Sequence, residues 1–265
     1  MTISRRDILA LTAASSILSA CSARTPQPTP STSLVPVTVQ TTPRPPSITP
    51  STQTTAPFVT APIPNHPIES IPATGRQIAL TIDDGVRSDV IEGYAELCRR
   101  TSMRLTFFAN GCYDSWKTNQ KILAPLVESG QIVIANHTYD HPDIRTLSHR
   151  GLSEQIVRNE KIFHDLFGIN LTPFFRPPYG YYNSRTIEQL HDMGYGGVTM
   201  WYGTTGDEQN ISGSRIMTNL KTYAQPGRVV IGHANHPGVL SIFDAIDSLF
   251  SSRNLRPVTI SDIYV

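Results

Sequence analysis

Ile78-Ala79-Leu80-Thr81-Ile82-Asp83-Asp84-Gly85 is the stretch on which the reading of this chain turns. Ile78, Leu80 and Ile82 alternate with smaller residues in the period of a strand, and the run stops at two adjacent carboxylates and a glycine. Such an ending has two readings. It is either an ordinary Asp-Asp-Gly turn, or a strand end that carries acidic groups into a site.

The same cycle recurs downstream. Ser88 to Arg100 has Ser88 at a capping position and Val90, Ile91, Tyr94 and Leu97 at helical spacing. Strands are expected at Leu105 to Ala109, Ile132 to Ala135, Pro173 to Phe175, Gly197 to Tyr202, Arg228 to Ile231 and Pro257 to Ile260. Helices are expected at Asn119 to Ser129 (with Pro125 inside), Ser153 to Phe167, Asn183 to Met193, Ser214 to Tyr223 and Val239 to Phe250. This alternation predicts an α/β fold of about seven parallel strands with crossover helices, either a closed barrel or an open wound sheet. In both architectures the loops after the strand C-termini gather on one face. Asp83-Asp84, His137 to His141, Arg176 to Gly180, Asp207 and His233 all follow expected strands, so they are expected to share a site.

Within Asn136-His137-Thr138-Tyr139-Asp140-His141-Pro142, two imidazoles four residues apart would lie on one side of a helical turn and could hold one metal ion. A carboxylate from Asp83-Asp84 would supply the third ligand and leave a position open for water. The spacing alone fits a surface histidine pair equally well.

Ahead of this region the composition changes twice. Residues 1–23 read as an export signal: Arg5 and Arg6, the apolar run Ile8 to Leu18, then Ser19-Ala20 before Cys21. The run is too short for a stable membrane-spanning helix. Ser4-Arg5-Arg6-Asp7-Ile8-Leu9 resembles a twin-arginine signal, and Leu18-Ser19-Ala20-Cys21 resembles a lipobox, which implies acylation at Cys21. Residues 24–75 are rich in Pro, Thr and Ser and poor in charge and large apolar side chains, the composition of a disordered linker. Extended, it would reach on the order of 100 Å or more at ~3.1 Å per residue. Residues 76–265 are the expected folded domain. The formal charge of +1 gives no electrostatic reason to expect nucleic acid as a partner. Cys98 and Cys112 read as a disulfide in an oxidising compartment or as two unpaired thiols.

Four ordered motifs, Thr81-Ile82-Asp83-Asp84-Gly85, His137-Thr138-Tyr139-Asp140-His141, Arg176-Pro177-Pro178-Tyr179-Gly180 and Ile231-Gly232-His233, resemble those of the polysaccharide deacetylases with a NodB homology domain, carbohydrate esterase family 4. The resemblance implies a distorted (β/α) barrel and metal-dependent removal of acetyl groups from an acetylated polysaccharide. By position it implies Asp84, His137 and His141 as ligands of a divalent metal, zinc best suited and cobalt or nickel also accepted. It further implies Asp83 as general base, His233 as general acid, Arg176 orienting Asp83, Asp207 orienting His233, the Tyr179 N–H as an oxyanion donor and Ile231 lining the acetyl pocket.

The chain departs from the family pattern at three places. Aligned on Trp201, Thr204 stands where an acid is usual and Glu208 where a Trp is usual, and Ala234 replaces the Asp that often follows His233. Trp201 itself could stack on a sugar or pack in the core. The leading expectation is therefore an exported monomer, anchored by lipid alone at the outer face of the bacterial cell membrane. It would remove N-acetyl groups from peptidoglycan or another GlcNAc polymer. A glycan-binding protein without chemistry and an O-deacetylase of acetylated xylan or a decorated muramic acid are the alternatives.

Overall fold

The computed structural model describes residues 57–265. The expected export signal, Cys21 and the linker up to residue 56 lie outside the described residues. The strands are β1 (Gln77–Asp84), β2 (Leu105–Ala109), β3 (Ile132–Asn136), β4 (Phe174–Phe175), β5 (Gly197–Val198), β6 (Gly203–Thr204), β7 (Val229–His233) and β8 (Arg256–Val258). They pair in the order β5-β4-β3-β2-β1-β7-β6, with β8 added on β1, and every pairing is parallel. The sheet curls into a half-barrel, the distorted (β/α) barrel expected from the sequence.

Parallel strands are covered on both faces, and β1 and β2 are buried at every residue. Ile78, Leu80 and Ile82 of β1 pack outward into a cluster with Val90, Ile91 and Leu97 of helix α1 (Ser88–Arg100). Ala79 of β1 turns the other way, into an inner cluster with Phe108, Ala135, Phe174 and Val229. Alternation along each strand thus separates an outer, helix-covered core from an inner one. Helices α3 (Gln120–Glu128), α4 (His149–Phe167), α5 (Ser184–Asp192), α6 (Gly213–Tyr223) and α7 (Phe243–Ser252) complete the outer layer, with a short α2 (Ser115–Thr118) before α3. Among the described residues no helix is long and apolar enough to cross a membrane.

Ala79 pairs with Val229 on one side and with Val258 on the other, so β8 occupies the β2 side of β1, below the point where β2 begins. The Ile260 N–H donates to Thr106 Oγ1 at 3.0 Å and Arg104 pairs with Asp262 at 2.7 Å, which closes that end of the barrel.

Several expectations need correction. The folded unit takes in residues 57–75, which the sequence assigned to the linker. The Ile68 N–H donates to Val198 O at 2.8 Å, the Met200 N–H to Ile68 O at 2.7 Å and the Ile71 N–H to Gly227 O at 2.9 Å. Ile68 and Ile71 are buried in the inner cluster. Prolines hide this segment from periodicity, because its apolar residues answer to a neighbouring sheet edge and to no repeat of their own. Of the strand expected at Gly197 to Tyr202 only Gly197–Val198 joins the sheet, as β5; the rest crosses to the opposite sheet edge, where β6 begins just beyond it at Gly203. Helix Val239 to Phe250 divides into a 3-10 turn, Pro237–Ser241, and α7, with the break at Ile242 (φ −131°). Helix α4 starts at His149, earlier than Ser153, because the Ser148 hydroxyl accepts from the Gly151 N–H and caps it. Cys98 and Cys112 form no disulfide; Cys98 is buried against α1's outer core, which pushes its thiol pKa up to about 12.

The burial of Ile68 yields a test of the boundary at residue 57. Ile68→Ala should cost about 2–4 kcal/mol of stability in urea denaturation, whereas a residue in a free linker would leave the midpoint unmoved.

Candidate active site

The register of the sheet assembles the site. Asp83 lies opposite His233 across the β1–β7 pair. Asp84 lies opposite Ala109, Ala109 opposite Asn136, Asn136 opposite Phe175 and Phe175 opposite Val198. His137 and Arg176 are the next residues after Asn136 and Phe175, so strand ends at one level deliver the carboxylates, an imidazole and a guanidinium to one mouth. Asp84 (φ 74°) and Gly85 (φ 118°) reverse the chain there. Only glycine suits the second position: a Cβ on Gly85 would stand 2.4 Å from the Trp116 ring.

The His137 Nδ1–H donates to the Arg176 carbonyl at 2.6 Å, which leaves Nε2 as a lone pair. That Nε2 faces Asp84 Oδ1 at 3.5 Å, and His141 Nε2 stands 3.5 Å from the same oxygen. Burial pulls the His137 pKa down to about 3 against the opposing pull of Asp84, so the ring is neutral at pH 7. The ligand atoms of Asp84, His137 and His141 lie within 4.8 Å of one another. A neutral imidazole lone pair turned to a carboxylate oxygen, with no proton between them, is a donor set that fits a cation.

The two histidines do not share a helical turn, contrary to the spacing argument. After His137 the chain forms a loop, with Thr138 (φ 68°) and His141 (φ 63°) in the left-handed region. Amide side chains hold that conformation: Asn136 Oδ1 accepts from the Thr138 N–H at 2.9 Å, Gln155 Oε1 from the Tyr139 N–H at 3.0 Å, and Asn110 Nδ2 donates to Thr138 O at 3.0 Å.

Two ion pairs flank this group. Arg176, fully buried, donates from Nη1 to Asp83 Oδ1 at 2.5 Å. Burial raises the Asp83 pKa, and the charges of Arg176 and His233 pull it back without cancelling the rise. His233 Nδ1–H donates to Asp207 Oδ1 at 3.0 Å. Burial by itself would depress that imidazole; the Asp207 hydrogen bond and the charges of Asp83, Asp207 and Asp84 outweigh it and raise its pKa to about 9. His233 is thus protonated at neutral pH.

A cleft of about 580 Å³ opens over these groups, lined by Asp83, Asp84, His137, His141, Ile231 and His233 on its floor and by Tyr179, Trp201, Thr204 and Glu208 around it. Tyr179 adopts φ 59°, its ring sits 4.4 Å from that of His141, and no backbone carbonyl among the described residues accepts from its N–H. Trp201 both packs against the inner cluster and lines the cleft. Arg176 and Asp207 stand behind Asp83 and His233, away from the cleft surface. The structure therefore brings together every expected site residue except Cys21, which lies outside the described residues. It adds Asn235, whose Nδ2 donates to Asp84 Oδ2 at 2.6 Å. Only its place two residues after His233 hinted at this.

Comparison with known proteins gives the same outline. The model of the polysaccharide deacetylase family matches residues 70–198. A peptidoglycan-N-acetylglucosamine deacetylase of Listeria monocytogenes is 28% identical over 72% of this chain, and the match spans 39% of that protein's length. Among solved structures, a peptidoglycan N-acetylglucosamine deacetylase superposes with a TM-score of 0.66 at 24% identity, over 74% of this chain and 92% of that one. A carbohydrate esterase family 4 pseudoenzyme of Bacillus anthracis gives 0.64 at 20% identity, over 76% and 71%. The structures establish the fold; the family match and the relatives together support a polysaccharide deacetylase domain.

Arg176→Met would strand the Asp83 carboxylate in the interior. It should lower stability by about 3–5 kcal/mol in chemical denaturation.

Proposed function

We propose that the chain is a metal-dependent hydrolase that removes N-acetyl groups from a cell-envelope glycan, peptidoglycan or another GlcNAc polymer. The observation that carries this reading is the meeting at one cleft of three cation ligands with a buried carboxylate and a protonated imidazole. Asp84, His137 and His141 would hold the ion, with zinc best suited to two nitrogens and an oxygen and cobalt or nickel also accepted. Such an ion, when bound, polarises a carbonyl and acidifies a coordinated water.

The remaining work falls to the protein's own groups. Asp83 takes a proton from the attacking water; its raised pKa brings it closer to the range a base needs, and Arg176 keeps it ionised and aimed. The free Tyr179 N–H points to an oxyanion donor, a contribution of about 3 kcal/mol. Ile231 bounds the acetyl methyl. His233 gives its proton to the departing nitrogen, and Asp207, accepting from Nδ1–H, stabilises the imidazolium and orients the ring so that Nε2–H is the proton donor.

The substrate class is supported by the relatives named as peptidoglycan N-acetylglucosamine deacetylases and by aromatic side chains, Tyr179, Tyr181 and Trp201, along the cleft. Export and lipid attachment at Cys21, on the outer face of the membrane, complete the proposal from the signal residues alone. A second reading, glycan binding without turnover, is favoured by Thr204 and Glu208 at positions where the family pattern has an acid and a Trp.

Purified protein should release acetate from GlcNAc oligomers and lose this activity with a strong chelator. Asp83→Asn should retain metal and fall by at least about 10²-fold in kcat; unchanged acetate release in that variant would remove the mechanism. Glycan binding by the metal-loaded parent without acetate release would favour the second reading, and an O-acetyl preference would redirect the substrate. Because the His233 pKa is raised, the active form persists below about 9 and is lost as pH rises through that value. Asp207→Asn should move this basic limb of kcat to lower pH. Radiolabelled palmitate should enter the expressed full-length protein and be absent from Cys21→Ala.

A further inference from the structure

We infer that Asn235 is a positioning residue for the cation site, holding Asp84 as a one-oxygen ligand and tying the general-acid loop to it. The inference rests on the reading of Asp84, His137 and His141 as cation ligands. The two oxygens of Asp84 have different surroundings. Oδ1 faces both imidazole Nε2 atoms at 3.5 Å, whereas Oδ2 accepts from Asn235 Nδ2 at 2.6 Å. An oxygen engaged by a short charge-assisted hydrogen bond is a poor second ligand, so the amide turns the carboxylate toward monodentate binding. One-oxygen binding by Asp84 would leave more room at a bound cation for substrate and water.

The amide has no other hydrogen-bonding reason to be there. Its Oδ1 is buried and unpartnered among the described residues, so the side chain leaves one group unsatisfied in order to donate to Asp84. The opposite orientation would set an acceptor against the carboxylate. The backbone explains how the side chain reaches its place. The Ala234 N–H donates to Asp83 O at 3.0 Å and the Arg87 N–H donates to Ala234 O at 2.9 Å, which stitches the segment after His233 onto the end of β1. Asn235 is therefore two residues from the protonated imidazole and in direct contact with a cation ligand. It links the segment after the imidazole to the carboxylate that would hold the ion.

The test is zinc titration calorimetry on the chelator-treated full-length protein and on Asn235→Ala and Asn235→Leu, the second variant keeping the packing of the site without its donor. Both variants should bind Zn²⁺ about 10- to 100-fold more weakly than the parent. Asn235→Leu should also melt, metal-free, close to the parent. Zinc affinity within twofold of the parent in both variants would overturn the role of Asn235. A parent that binds no zinc would instead overturn the cation-site reading itself, which separates the two failures.

Discussion

Arg176 sits with its whole side chain out of water, and its guanidinium is the point at which the mouth of the barrel is joined. It donates to Asp83 Oδ1 and Thr81 Oγ1 on β1 and to the carbonyls of Thr199 and Met200, where the chain leaves β5 to cross the open side. Its plane lies 4.1 Å from the centre of the Phe108 ring on β2. Its own carbonyl accepts from His137. One residue thus fixes the ionisation of a carboxylate, the path of the chain where the sheet is open, and the tautomer of an imidazole. A lysine could not replace it, since no ammonium offers a planar fork to four acceptors in these directions.

The site's electrostatics follow from that arrangement. Burial opposes charge on Asp83, His137, Arg176 and His233, and each responds according to its partner. His137, with only a carbonyl on its Nδ1, is held neutral; His233, with the Asp207 carboxylate on its Nδ1, is held protonated. Two chemically identical side chains therefore present a lone pair and a proton respectively in one cleft. The departures Thr204 and Glu208 line the same cleft and leave the Asp83–Arg176 and His233–Asp207 pairs in place.

Much of the fold was legible because strand and helix periods are local. The run Ile78 to Ile82 needs only its own alternation to read as a strand, and Ser88 to Arg100 needs only its own apolar spacing to read as a helix. Segments whose order comes from elsewhere were not legible. Residues 57–75 pair with the ends of β5 and β7, the break at Ile242 lies where the Ser241 and Ile242 side chains crowd Gly213 at the start of α6, and the chain after Val198 leaves one sheet edge to reach the other at Gly203.

At the site, residue types and their order after strands pointed to Asp83, Asp84, His137, His141, Arg176 and His233, because parallel sheets bring all strand C-termini to one face. That much belongs to the sequence by itself. The tertiary structure decided how those groups meet. The His137–His141 pair converges through a left-handed loop braced by Asn110, Asn136 and Gln155, and Asp84 is turned by an amide from Asn235, 151 residues away in the chain. Hydrogen bonds between side chains distant in sequence carry no period and no fixed spacing, so only the folded chain brings them into being.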